Sequence, residues 1–124
     1  MNELKNIAKY NMGWETISSF LYLGKEYKIT VNATSYSEKD KVTDEQDKSY
    51  SDFCDKKSEI EAKVEHRLKC FLSETETNSL IPQLLKIEED GCMALVFDIC
   101  DDSEGSIVVV ITEDYKLMDG DEYF

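Results

Sequence analysis

The apolar pattern predicts an α+β fold, a four- to five-stranded, mainly antiparallel sheet packed against one long helix and one short helix. Three observations carry that prediction. Tyr27, Ile29, Val31 and Ala33 alternate strictly with Lys28, Thr30, Asn32 and Thr34, the mark of a strand with one buried and one wet face. Tyr50, Phe53, Ile60, Val64, Leu68 and Phe71 recur at threes and fours, with no Gly or Pro from 43 to 72, and predict a single amphipathic helix. Residues 93–99 and 107–111 are nearly unbroken apolar runs, as in strands at the centre of a sheet.

Taken in order, Leu4, Ile7 and Tyr10 are spaced for a loose turn of helix. Residues 14–23 are rich in β-branched and aromatic side chains and predict a first strand. Gly24-Lys25 turns the chain into the alternating strand. The long helix opens with Thr43 and Gln46, spaced as a capping box, and Asp44, Glu45 and Asp47 suit the positive end of its dipole. At 1.5 Å per residue it would run about 45 Å, long enough to bend or fray. Leu80, Ile81, Leu84, Leu85 and Ile87 around Pro82 predict the short helix, from about Asn78 to Ile87, with Pro in its first turn. Asp90-Gly91 turns into the first central strand, a loop spans Asp101–Ser106, and Tyr115–Met118 adds an edge strand. The expected core is Trp14, Phe20, Ile29, Val31, Phe53, Ile60, Val64, Leu68, Leu95, Phe97, Val108 and Val110.

A chain of 124 residues makes one domain, 1–124, with a core that needs no staples. No run of 18 apolar residues spans a membrane, and residues 1–10 lack a secretory signal core, so the expected location is cytoplasmic. Cys54 and Cys70 would lie about 24 Å apart on one helix, too far for a disulfide. With one His and no Cys-x-x-Cys, the four cysteines read as small buried hydrophobes in a reducing compartment.

Charge is the more informative property. Residues 1–85 hold 15 acids and 12 bases, whereas residues 86–124 hold 12 acids and only Lys86 and Lys116, a balance of −10. Such a field repels nucleic acid and anionic membranes and draws in cationic partners; a merely solvated acidic surface is the plain alternative. Asp98, Asp101, Asp102 and Glu104 concentrate between the central strands and suggest a second use, a divalent-metal or small-molecule site in loop 98–104. Their spacing is not that of a calcium loop. Paired carboxylates also serve as acid and base, but nothing here builds a cleft around them. His66 and Cys70 share a helix face without a patterned third ligand. Phosphate-binding glycine patterns and nucleophile motifs are absent. The expectation is a protein that is not an enzyme and carries no cofactor.

Several positions resemble a group of small bacterial proteins of unknown function, often encoded near polymorphic toxin genes and read as immunity proteins. The resemblance rests on Trp14, Gly24 and the strand Tyr27–Ala33, then on Thr43, Gln46 and Tyr50 at the helix start. Asp102, Glu104, Ile107 and Val109 line up with a segment entering a strand, although Ser103, Gly105 and Ser106 depart from the group's Pro, His and Gly. Gly120 and Asp121 echo its close. The resemblance implies a cytosolic protein that neutralises a cognate toxin domain by stoichiometric binding. Nuclease toxins are often basic, which the C-terminal acids would complement. The expected contacts are Asp98, Asp101, Asp102, Glu104, Asp119, Asp121 and Glu122, with Tyr115 and Tyr123 as aromatic anchors.

Overall fold

A computed structural model describes residues 4–100 and 102–124, and of 102–104 the backbone alone. The elements are α1 (Leu4–Ile7), β1 (Lys9–Tyr10), β2 (Trp14–Tyr22), β3 (Lys25–Ala33), α2 (Asp44–Asp55), α3 (Lys57–Phe71), α4 (Glu74–Asn78), β4 (Leu80–Ile87), β5 (Met93–Ile99), β6 (Asp102–Val110), β7 (Lys116–Asp119) and α5 (Gly120–Tyr123). The strands form one sheet in chain order. Every neighbouring pair is antiparallel except β3 and β4, which run parallel. A parallel pair needs a crossover, and α2, α3 and α4 supply it.

The α+β content agrees with the sequence; the architecture does not. In place of four or five strands on one long and one short helix, the described residues form seven strands in a mixed sheet and five short helices, of which α2 and α3 are the substantial ones. Leu80–Ile87, expected to be helical, is a strand with a register shift between Pro82 and Leu84. One extra residue there changes which side chains face the core, so the spacing imitates a helix. Pro82 sits beside that irregularity, where a strand tolerates its missing N–H. The long helix breaks at Lys56, whose backbone (φ −110°, ψ 21°) is not helical. The loop expected over Asp101–Ser106 is already strand from Asp102. Residues 9–10 pair with Glu15 and Trp14, a strand too short to show a period.

Against the helices the sheet presents Phe20, Tyr22, Ile29, Val31, Leu85, Ile87, Leu95, Phe97 and Val109, all buried under Tyr50, Phe53, Ile60, Val64 and Leu68. The opposite face carries a second cluster, Ala94, Val96, Val108 and Val110, flanked by Leu84, Cys92, Met118 and Tyr123. Val108 and Val110 therefore belong to this second core, Trp14 is half-buried, and Phe71 is exposed at the end of its stripe. Burial on both faces is why β5 and β6 read as unbroken apolar runs.

The predicted capping box forms. Thr43 Oγ1 accepts from the Gln46 N–H at 3.1 Å, and Gln46 Oε1 accepts from the Thr43 N–H at 2.9 Å. Gln46 is wholly buried, and its Nε2 also donates to the carbonyls of Thr34 (3.0 Å) and Ile87 (3.1 Å), one just past the end of β3 and the other closing β4. At the other side of the molecule α3 lies along the outer edge of β2. Glu61 accepts from the Leu21 N–H at 2.6 Å and Glu65 from the Leu23 N–H at 2.9 Å, while Lys57 Nζ donates to Ser19 Oγ at 2.5 Å. Four residues of helix advance about 6 Å and two of strand about 6.7 Å, so successive partners stay in step. Charged side chains thus occupy the far end of an edge that would otherwise be open to strand addition.

Replacing Gln46 by Leu leaves the Thr34 carbonyl and the Thr43 N–H without their Gln46 partner, and the Ile87 carbonyl with the Thr34 N–H alone, and is expected to lower unfolding free energy by about 2–4 kcal/mol, read by urea denaturation. Alkali provides a second check. Burial raises the phenols of Tyr22, which donates to the Thr77 carbonyl at 2.6 Å, and of Tyr50, beside Cys54, from 10.0 to about 12. The folded state holds these protons more tightly than the unfolded chain. Their contribution is whole below pH 10, declines as pH rises towards about 12, and is lost above. Stability measured across that window should fall, and less steeply in Tyr22→Phe.

Candidate functional site

In open sheets, ligands are met outside the carboxyl ends of parallel strands. Here Gln46 and the start of α2 fill the gap between β3 and β4, and a groove of about 490 Å³ opens beside them. Thr34, Tyr36, Glu88, Glu89, Asp90, Cys92 and Tyr123 line it.

Its floor is the turn from β4 to β5. The Gly91 N–H donates to the Glu88 carbonyl at 2.9 Å, and Asp90 Oδ1 accepts from the Cys92 N–H at 2.9 Å. Gly91 has φ +91°, and a Cβ there would stand 3.0 Å from Ser49 Oγ and 3.1 Å from the Glu45 carbonyl, so only glycine fits. Ser49 and Thr43 on the α2 side donate to the carbonyls of Gly91 (2.6 Å) and Glu89 (2.8 Å). Glu88 is oriented by the Thr34 hydroxyl at 2.5 Å. Glu89 and Asp90 are exposed, and Tyr36 is 83% exposed at the rim.

The far wall is Tyr123, delivered by α5 across the second face of the sheet. That approach brings Gly120 close to β6, where an added Cβ would fall 1.7 Å from Ser106 Oγ and displace that hydroxyl. The Tyr123 hydroxyl is buried with no hydrogen-bond partner among the described residues. Its phenol is held far above the usual tyrosine value, first by burial and then by the negative charges of Glu88, Asp90 and Glu113, with Cys92 adding to them.

Of the residues marked in the sequence, Asp119, Asp121 and Glu122 are exposed around α5, and Asp119 Oδ1 caps it by accepting from the Asp121 N–H at 3.1 Å. Asp98, exposed on the same face, pairs in register with Ser106. Tyr123 joins the groove, but with its hydroxyl turned inward. Tyr115 stands apart, half-buried in the turn before β7, with Lys63 5.8 Å from its ring centre. Asp101 and the side chains of Asp102 and Glu104 lie outside the described residues. The run Glu88-Glu89-Asp90 and Tyr36 escaped the sequence reading, because the first looked like the approach to a turn and the second like part of a polar loop.

Among the described residues no three His, Cys, Asp or Glu are grouped to hold a metal ion, and no helix is long and apolar enough to cross a membrane. The four cysteines are free; contrary to their expected burial, Cys70 and Cys100 are exposed. None of Glu88, Glu89, Asp90, Asp119, Asp121 and Glu122 takes part in an ion pair among the described residues. What the groove offers is negative potential beside two tyrosine rings, which suits a cation. Comparison with protein-family models, curated proteins and solved structures finds no match for this chain.

Gly120→Ala is expected to force the Ser106 side chain aside and loosen α5, lowering the thermal midpoint and bringing the Tyr123 phenol back towards ordinary alkaline titration. Adding Ser106→Ala removes the obstructing oxygen and should restore part of both, followed by ultraviolet difference spectroscopy.

Proposed function

We propose that this protein is an immunity-type binding module that captures a cationic protein, of the kind a basic toxin domain presents, and occludes it. The observation that carries the reading is a set of exposed carboxylates, Glu89 and Asp90 on the groove and Asp121 and Glu122 on α5, the helix that brings Tyr123 to it, with no basic side chain paired to them among the described residues. Unpaired surface charge of one sign raises encounter rates with a partner of the other sign and disfavours nucleic acid. Tyr36, already exposed, supplies a flat face on which a lysine or arginine can settle. In this reading the groove receives basic side chains from the partner, and inhibition follows from covering its working surface. No bond is made or broken.

The test begins with capture from a lysate of the source organism at low salt and at about 0.5 M, where charges beyond a few ångströms are screened. A single basic protein held at low salt and released at high salt is the expected partner. With that partner purified, Glu89→Lys, Asp121→Lys and Glu122→Lys combined should slow association by about tenfold or more at low ionic strength and much less at high. Association indifferent to both salt and charge reversal defeats the reading.

A further inference from the structure

A second hollow, about 370 Å³, lies between α3 and the turn that leads into β7. Its lining reverses the balance of the chain: Lys63, His66 and Arg67 face a single acid, Asp114, with Ala62 and Tyr115 as apolar walls. The chain as a whole has 27 acids and 14 Lys and Arg. We propose that this hollow binds a small organic anion, a phosphate or carboxylate carried on a planar body.

Lys63, His66 and Arg67 stand at helical positions i, i+3 and i+4, so they share one face of α3. Two of them are already held in place. Arg67 Nη2 donates to the Asp114 carbonyl at 3.1 Å, and its guanidinium lies 5.7 Å from the Phe71 ring centre. Lys63 pairs with Glu59 at 3.0 Å, and that partner holds its ammonium above the usual lysine value. A guanidinium has five N–H donors and this one spends one on Asp114, which leaves a fork suited to two anionic oxygens. Ordering these cations in advance lowers the entropy cost of binding. The opposing turn is built at a cost: Asp114 (φ 55°) and Tyr115 (φ 59°) are consecutive non-glycine residues in the left-handed region. That conformation sets the Asp114 carbonyl against Arg67 and the Tyr115 ring beside Lys63, and strain of this kind collects at ligand clamps. The anionic group belongs on Lys63 and Arg67, and the planar body on Tyr115 and Ala62.

His66 is the chain's only histidine, so its ring signals in an NMR spectrum need no assignment. Phenyl phosphate is titrated at fixed pH and constant ionic strength while those signals are followed, with inorganic phosphate and sodium chloride run in parallel. The expected result is a saturable shift with phenyl phosphate, weaker binding of inorganic phosphate, and none with chloride. Lys63→Gln and Arg67→Gln should each weaken binding by about tenfold, the size of a lost charge-assisted hydrogen bond. Asp114→Asn, which keeps a residue at ease in the left-handed region and removes the one acid of the lining, should tighten it. A shift that never saturates or that chloride reproduces overturns the proposal, as does affinity unchanged in all three variants. Equal affinity for the two phosphates overturns the planar body.

Discussion

Gln46 ties together the one place where this sheet changes direction. Strands β3 and β4 run parallel, and beyond Ala33 and Ile87 their ladder has only the Thr34 N–H to Ile87 carbonyl bond left at 2.9 Å. A buried carbonyl without a donor is expensive. The Gln46 amide answers the Thr34 and Ile87 carbonyls while its oxygen holds the Thr43 N–H, so one side chain caps a helix and closes a strand pair. The start of α2 is pinned there in consequence, and the β4–β5 turn is pinned to α2 through Thr43 and Ser49. The acidic groove takes its position from these bonds.

The break at Lys56 follows from two demands on the crossover. α2 must close the ends of β3 and β4, whereas α3 must lie along β2 with Lys57, Glu61 and Glu65 in register with Ser19, Leu21 and Leu23. One straight helix cannot do both. Lys56 leaves helical geometry, and each half then buries its own part of the apolar stripe. On the other face, Tyr123 of α5 packs against the cluster of Ala94, Val96, Val108 and Val110, with Gly120 lying close against the Ser106 side chain.

Net charge alone does not reveal which acids are available to a partner. Many are occupied inside the fold: Asp47 accepts from the Leu4 N–H at 2.7 Å, Glu15 from Asn32 Nδ2 at 2.7 Å, Glu61 and Glu65 from the β2 edge, and Asp44 pairs with Lys5. Glu89, Asp121 and Glu122 are exposed and outside the ion pairs of the described residues.

Local periodicity determined what depends on neighbours in the chain. The alternation of residues 27–33, the stripe from Tyr50 to Leu68 and the Thr43–Gln46 cap all stand in the structure because each is encoded within a few turns or one strand. The acidic character of the C-terminal third, with α5's Asp121 and Glu122 in it, was legible for the same reason. Tertiary structure decided the rest. Whether Leu80–Ile87 is helix or strand turns on β3 and β5 being there to receive its backbone, and a single bulge disguises its period. The joining of Tyr36, Glu88–Asp90 and Tyr123 into one groove spans 87 positions and leaves no local trace. Pairing across a sheet is a contact between distant segments, and no spacing within either segment records it.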